Sequence, residues 1–190
     1  MEETGRDFKD TKKHRTRRHK KMDALSIKNN NVTWAHFEAV NQSTQTAFEN
    51  MCRLLFNRYF FDRKALFHSN PNNPGVEIEP IIEPKGGKRI SFQAKYFTKV
   101  NYQKIKRSVE NTIKYYSGQL DIYYFYCNKN LKTTCVSYKN FVALLSDANI
   151  EFKPINNETI LDQVLYDPII SSTFFGHHQL TIEWFNERLT

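Results

Sequence analysis

The chain has 190 residues and a mass of 22.6 kDa, with 28 Lys and Arg against 20 Asp and Glu for a formal charge of +8. That length fits one domain with enough chain for a real core, and 39% hydrophobic with 14% aromatic content excludes a disordered polymer. No stretch approaches the ~18 apolar residues of a membrane span. No apolar h-region follows the basic N-terminus, so neither a secretory signal peptide nor a membrane partner is expected. Cys52, Cys127 and Cys135 form no CxxC pair and are odd in number, which suits reduced thiols and a cytoplasmic location.

The excess charge is unevenly placed. Nine basic and four acidic residues in 1–21 put +5 there and leave +3 for the rest. The run TKKHRTRRHKK can bind phosphate by counterion release, or be a solvated tail with no partner. Residues 1–31 are therefore read as a basic disordered tail, 32–155 as the core domain and 156–190 as a helical connector.

In chain order, Thr33 caps a short helix through Trp34, Phe37 and Val40. Ser43 or Thr44 then opens a longer one, with Ala47, Phe48, Met51, Cys52, Leu55 and Tyr59 on its buried face. Residues 68–75, HSNPNNPG, read as a loop. Val76 and Ile78 alternate with Glu77 and Glu79 as a short strand, and EPKGGK is a turn in which Gly86 and Gly87 supply positive φ. Arg89 to Phe97 is the second strand, with Ile90, Phe92 and Ala94 on one face and Ser91, Gln93 and Lys95 on the other. Residues 101–117 form an amphipathic helix with Ile105, Val109, Ile113 and Tyr116 inward. LDIYYFYCN (120–128) reads as a strand covered on both faces. A helix at 138–148 and a strand at 150–155 follow, with further short helices at 159–165 and 181–189. A loop holding Asp167-Pro168 and Phe174-Phe175-Gly176 separates the last two. This order predicts an α/β fold, an αβα sandwich around a mixed central sheet.

The first two strands carry the chemistry. Strand residues two apart share a face, so Glu77 and Glu79 project together, as do Gln93 and Lys95. Pairing across the turn brings all four into one patch. A carboxylate, the Gln93 carbonyl oxygen and a backbone carbonyl beside a lysine meet the needs of a hard divalent cation and an activated water. In that role Lys95 orients or deprotonates water and steadies charge on a phosphoryl group.

In these motifs the chain resembles the PD-(D/E)xK nuclease superfamily, in its Mrr-like restriction endonuclease branch, where the last motif is often Q-x-K. Gly75-Val76-Glu77 looks like the first strand motif and Phe92-Gln93-Ala94-Lys95 the second, while Glu49 in AFENMCRLLF matches the family's helix glutamate. The resemblance covers roughly residues 33–155 and implies a restriction-endonuclease-like fold and hydrolysis of DNA, double-stranded in preference, with Mg²⁺ or Mn²⁺. Glu77, Gln93, the Ala94 carbonyl and Glu49 would hold metal, with Glu79 a competitor for the place of Glu77. Lys95 would activate water, and Lys99, Lys104, Lys106 and Arg107 would grip phosphates. Two departures stand out: Glu77 replaces the usual aspartate, and Gln93 lowers the site's charge by one. Similar FQAK-type domains precede a STAND/NACHT-type NTPase in bacterial antiphage proteins. The resemblance thus implies an effector domain, cut from a longer protein or working with a separate sensor, and switched on by homo-oligomerisation.

The same residues have plainer readings. Glu77 and Lys95 fit a cross-strand ion pair, and the basic helix face fits ordinary solvation. An inactive nucleic-acid-binding or adaptor module, and an RNA-cleaving enzyme, both fit the pattern. Elsewhere, His177-His178 have no third ligand at a zinc spacing, and Gly86-Gly87-Lys88 lacks the upstream glycine of a P-loop. The Tyr123–Tyr126 run reads as core rather than a stacking platform, and no serine or cysteine pairs with a base, Cys52 lying on a buried helix face.

Overall fold

A computed structural model describes residues 32–65, 67 and 73–176. The basic tail, the expected helix at 181–189 and the His177-His178 pair lie outside the described residues. Among the described residues six helices and four strands follow in the order α1 (Trp34–Val40), α2 (Thr44–Phe61), β1 (Ile81–Ile82), β2 (Arg89–Lys95), α3 (Tyr102–Tyr116), β3 (Ile122–Cys127), α4 (Val136–Asp147), β4 (Glu151–Asn156), α5 (Asn157–Leu165) and α6 (Pro168–Phe175). The sheet runs β1-β2-β3-β4, with β1 antiparallel to β2 and the other three strands parallel. The fold is thus the expected α/β sandwich around a mixed sheet. No described helix is long and apolar enough to cross a membrane.

The alternation along β2 and β3 divides the core in two. Ile90, Phe92, Ala94, Ile122, Tyr124 and Tyr126 face a cluster that takes in α1, α2, α5 and α6. Tyr123, Phe125 and Cys127 face a second cluster with Ile105 and Val109 of α3 and Phe141 and Leu145 of α4. Every residue of β3 is buried, as its apolar run requires of a strand covered on both faces. Aromatic rings fill both clusters: Trp34, Phe37, Phe48 and Tyr96 meet edge-on or stacked in the first, and Tyr138, Phe141 and Phe152 meet edge-on in the second.

Four local expectations are corrected. Tyr59 is exposed, and Phe56 and Phe61 are buried instead, because the buried stripe turns with the helix toward β3. Only Gly87 of the Gly-Gly pair has positive φ, +63°. Residues 76–80 form no strand: regular pairing is limited to Ile81 with Ile90 and Ile82 with Arg89. The stretch expected to be a loop around Phe174 and Phe175 is helix α6. Asp167 caps it by accepting from the Ile169 and Ile170 N–H groups, Pro168 fits the first turn, and Gly176 ends it at φ +60°.

Asp167 also ties α6 to α2. Its carboxylate is buried, pairs with Arg58, and lies 2.8 Å from Arg63 Nη2. Asp167→Ala removes a helix cap and the buried carboxylate that two partly exposed guanidinium groups share, so it should cost about 2 kcal/mol. A clear fall in the urea midpoint is expected, with far-UV circular dichroism unchanged in buffer.

Candidate active site

The two-residue β1 leaves the outer edge of β2 beyond Ile90 without a strand partner. The irregular segment 75–78 takes its place. The Glu77 N–H donates to the Phe92 carbonyl at 2.7 Å, and Ser91 Oγ donates to the Ile78 carbonyl at 2.6 Å. Because this segment is not a regular strand, Val76 packs with the α3 layer while Ile78 packs with the α2 layer. Glu77 is thereby set at the sheet edge between the two layers.

Gly75 fixes this path. At φ +82° its backbone lies against α3, and a Cβ there would sit 2.5 Å from the Ser108 carbonyl oxygen and 2.7 Å from the Thr112 nitrogen. Its carbonyl accepts from the Tyr123 hydroxyl at 2.8 Å, and the Thr112 hydroxyl lies 2.9 Å away. Burial pushes the Tyr123 phenol up, so it stays a donor.

Around this edge the two helical layers meet in an open pocket of about 670 Å³. Gln45 and Glu49 come from α2, Glu77 from the crossing segment, Gln93 and Lys95 from β2, and Lys104, Arg107, Ser108 and Asn111 from α3. Glu49, Glu77, Gln93 and Lys95, the four residues singled out from the sequence, are brought together. Glu79 is exposed and does not line the pocket, and neither do Lys99 and Lys106; Lys106 pairs with Glu110 at 3.5 Å.

Glu77 is the most perturbed acid of the site. Burial, with the charge of Glu49 added, pushes its carboxyl up to about 7, against the opposing pull of Lys95 and the Ala94 N–H. The Gln93 amide Nε2 donates to Glu77 Oε1, and the Ala94 N–H approaches the same oxygen at 3.4 Å. Gln93 thus turns its N–H₂, rather than its oxygen, to the carboxylate. Among the described residues no three His, Cys, Asp or Glu converge, so a cation here would need amide and backbone oxygens beside the two carboxylates. The donor set meets that need. The Ala94 carbonyl faces the open edge with only long contacts, at 3.5 Å, from Gln45 and Gln93, and a half-turn of the Gln93 amide presents its oxygen.

Two positioning groups escaped the sequence reading. Gln45, one helical turn before Glu49, donates from Nε2 to Glu49 Oε1 at 2.5 Å and accepts the Tyr96 N–H at 3.2 Å, fastening the helix acid to the end of β2. Its spacing from Glu49, i to i+4, was the available signal. Asn128, just beyond β3, exchanges two hydrogen bonds with the Phe97 backbone and extends the β2–β3 pairing past Lys95. No sequence pattern marks it. Cys52 is buried in the α2 core, and burial, with the charges of Glu77 and Glu49 added, pushes its thiol up, which disfavours the thiolate that a nucleophile needs. A scan of protein-family models finds none that matches this chain, and no curated protein matches it either.

Two outcomes test the geometry without assuming a reaction. Gly75→Ala should destabilise by more than 2 kcal/mol, because it combines strained φ with a backbone clash. Gly87→Ala, at positive φ but in open space, should cost about 1 kcal/mol; equal urea midpoints for the two variants would overturn the clamp. Glu77 binds a proton in the folded state, up to about pH 7, that the unfolded chain releases near its ordinary value. Stability contributed by this group therefore falls as pH rises from about 4.5 to 7. Glu77→Gln should then gain about 2 kcal/mol more at pH 8 in EDTA than at pH 5, read from urea unfolding at both values.

Proposed function

We propose that this pocket is the active site of a Mg²⁺- or Mn²⁺-dependent endonuclease that hydrolyses DNA phosphodiester bonds in the manner of the PD-(D/E)xK nucleases. One observation carries the reading: a half-buried acid from an irregular edge segment, a helix acid, an edge carbonyl and a lysine meet at one open sheet edge. Two like charges in that setting favour either a proton or a cation between them.

Glu77 and Glu49 would hold the cation, with the Ala94 carbonyl and the turned Gln93 amide completing its oxygen shell. Such a cation supplies positive charge against phosphate oxygens and acidifies water. Gln45 keeps the Glu49 carboxylate aimed at the β2 end. Lys95, on the same strand face as Gln93, orients the attacking water and opposes the charge that builds on the phosphoryl oxygens. The water oxygen forms the new P–O bond as the bond to the leaving sugar oxygen breaks. Through the open mouth of the pocket the attacking water gives up a proton to solvent and the leaving sugar oxygen takes one from it, so that a hydroxyl departs. Lys104 and Arg107 face the substrate backbone. The antiphage setting and the partner NTPase rest on family likeness alone.

A second reading has one observation in its favour. The Gln93 N–H₂ already satisfies Glu77, which suits a nucleic-acid-binding module that has lost its chemistry. Plasmid nicking separates the two. Wild-type protein should nick plasmid with Mg²⁺ or Mn²⁺ and not in EDTA, and Lys95→Ala and Glu77→Gln should each lose at least about 100-fold. Because a proton competes for Glu77, the rate at limiting cation should fall as pH drops below about 7. Intact plasmid at high protein and cation concentration favours the binding module, and faster loss of an RNA of equal length reassigns the substrate.

A further inference from the structure

We infer that a second pocket, at the C-terminal end of α2, is a binding site for a small organic anion: an apolar body carrying one carboxylate, sulfonate or phosphate group. It shares no lining residue with the acidic pocket, so it stands or falls independently of the phosphodiesterase reading.

The pocket measures about 680 Å³, within the roughly 300–1,000 Å³ of small-molecule sites. Its apolar lining comes from Tyr59, Phe60 and Phe61 at the end of α2, from Ala65 beyond it, and from Pro84 in the turn after β1. Groups outside the cavity hold both walls. Asp62 and Arg63 take successive left-handed conformations, φ +51° and +63°, which residues with a Cβ adopt seldom. This turn is kept in place by Asn57, whose side chain accepts the Ala65 N–H at 3.2 Å and donates to the Ala65 carbonyl at 2.8 Å, and by Arg63 on Asp167. Opposite, the Glu83 N–H donates to the Lys88 carbonyl at 2.8 Å and the Gly87 N–H to the Glu83 carbonyl at 2.9 Å, which fixes the turn carrying Pro84 and Lys85. A cavity between two such walls is formed before a ligand arrives, so little ordering opposes binding.

Charge selects the ligand. Arg58, Lys64 and Lys85 line the pocket against the carboxylate of Asp62. Arg58 is paired with Asp167 and donates to the Tyr166 carbonyl, and Asp62 is paired with Lys64 at 3.0 Å. Lys85 is exposed and has no ion-pair partner among the described residues. An amphipathic anion meets both features, its body against the rings and its charge on Lys85. A cationic ligand would face the surplus of positive charge, and a neutral one would leave it unanswered.

The test is titration of anilinonaphthalene sulfonate, an aromatic anion that fluoresces in apolar surroundings, into the full chain. One saturable site is expected. Lys85→Glu should weaken it by about five- to tenfold, and Tyr59→Ala by about three- to tenfold. Both side chains are exposed, so both variants keep the near-UV circular dichroism of the wild type. Lys139→Glu on α4 and Tyr115→Ala on α3, the same changes at exposed positions elsewhere, should stay within about twofold of wild type. Octanoate should displace the probe at least about tenfold more effectively than octanol, which lacks the charge, or acetate, which lacks the body. No saturable binding by the wild type, equal losses in the pocket variants and their controls, or octanol displacing as well as octanoate would each overturn the site.

Discussion

The shortness of β1 is the constraint on which this molecule turns. Two pairs, Ile81 with Ile90 and Ile82 with Arg89, are all the regular pairing the outer side of β2 receives. A full-length β1 would cover the edge through Ala94 and would bar α2 and α3 from reaching a common space. The backbone groups of Phe92 and Ala94 are served instead by Glu77, through its N–H and its carboxylate. A side chain at a sheet edge thus does what a strand would otherwise do, and the cost is a carboxylate held in partial burial.

That burial links stability to chemistry. The same surroundings that lift Glu77 to about 7 make the cation-free protein strained at alkaline pH and receptive to positive charge. The clamp on Gly75 keeps the strain from relaxing, because Tyr123 and Thr112 belong to the core and hold the carbonyl from two elements. Gln45 and Asn128 restrain the other side of the pocket, one at the helix acid and one at the strand end. Sites whose acids are fixed by core groups keep their geometry when a ligand arrives.

Much of this was legible in the residues. Strict alternation over 89–95 and an all-apolar 122–127 placed β2 and β3 and their two layers, since the period of two fixes which face each side chain takes. The four site residues converge because strand parity puts Gln93 with Lys95 and the helix period puts Glu49 on the strand-facing side. The strand over 76–80 was wrong for a physical reason. Val-Glu-Ile-Glu has strand alternation, but Gly75 pressed on α3 sets a path in which Val76 and Ile78 enter opposite layers. Local alternation cannot register a tertiary contact with a helix some thirty residues later. Helix α6 was missed although Asp167-Pro168 and Gly176 are a start and a stop signal, because its eight residues show no clear apolar face.

The most direct test of the central claim is calorimetric titration of Mn²⁺ into the protein in two buffers of different ionisation enthalpy. If Glu77 holds a proton that the cation must displace, binding at pH 7 releases about half a proton per ion and at pH 9 almost none. Glu77→Gln abolishes both the binding heat and the proton release. Wild-type binding whose heat is the same in both buffers at pH 7, or Mn²⁺ binding that survives Glu77→Gln unchanged, would contradict the account.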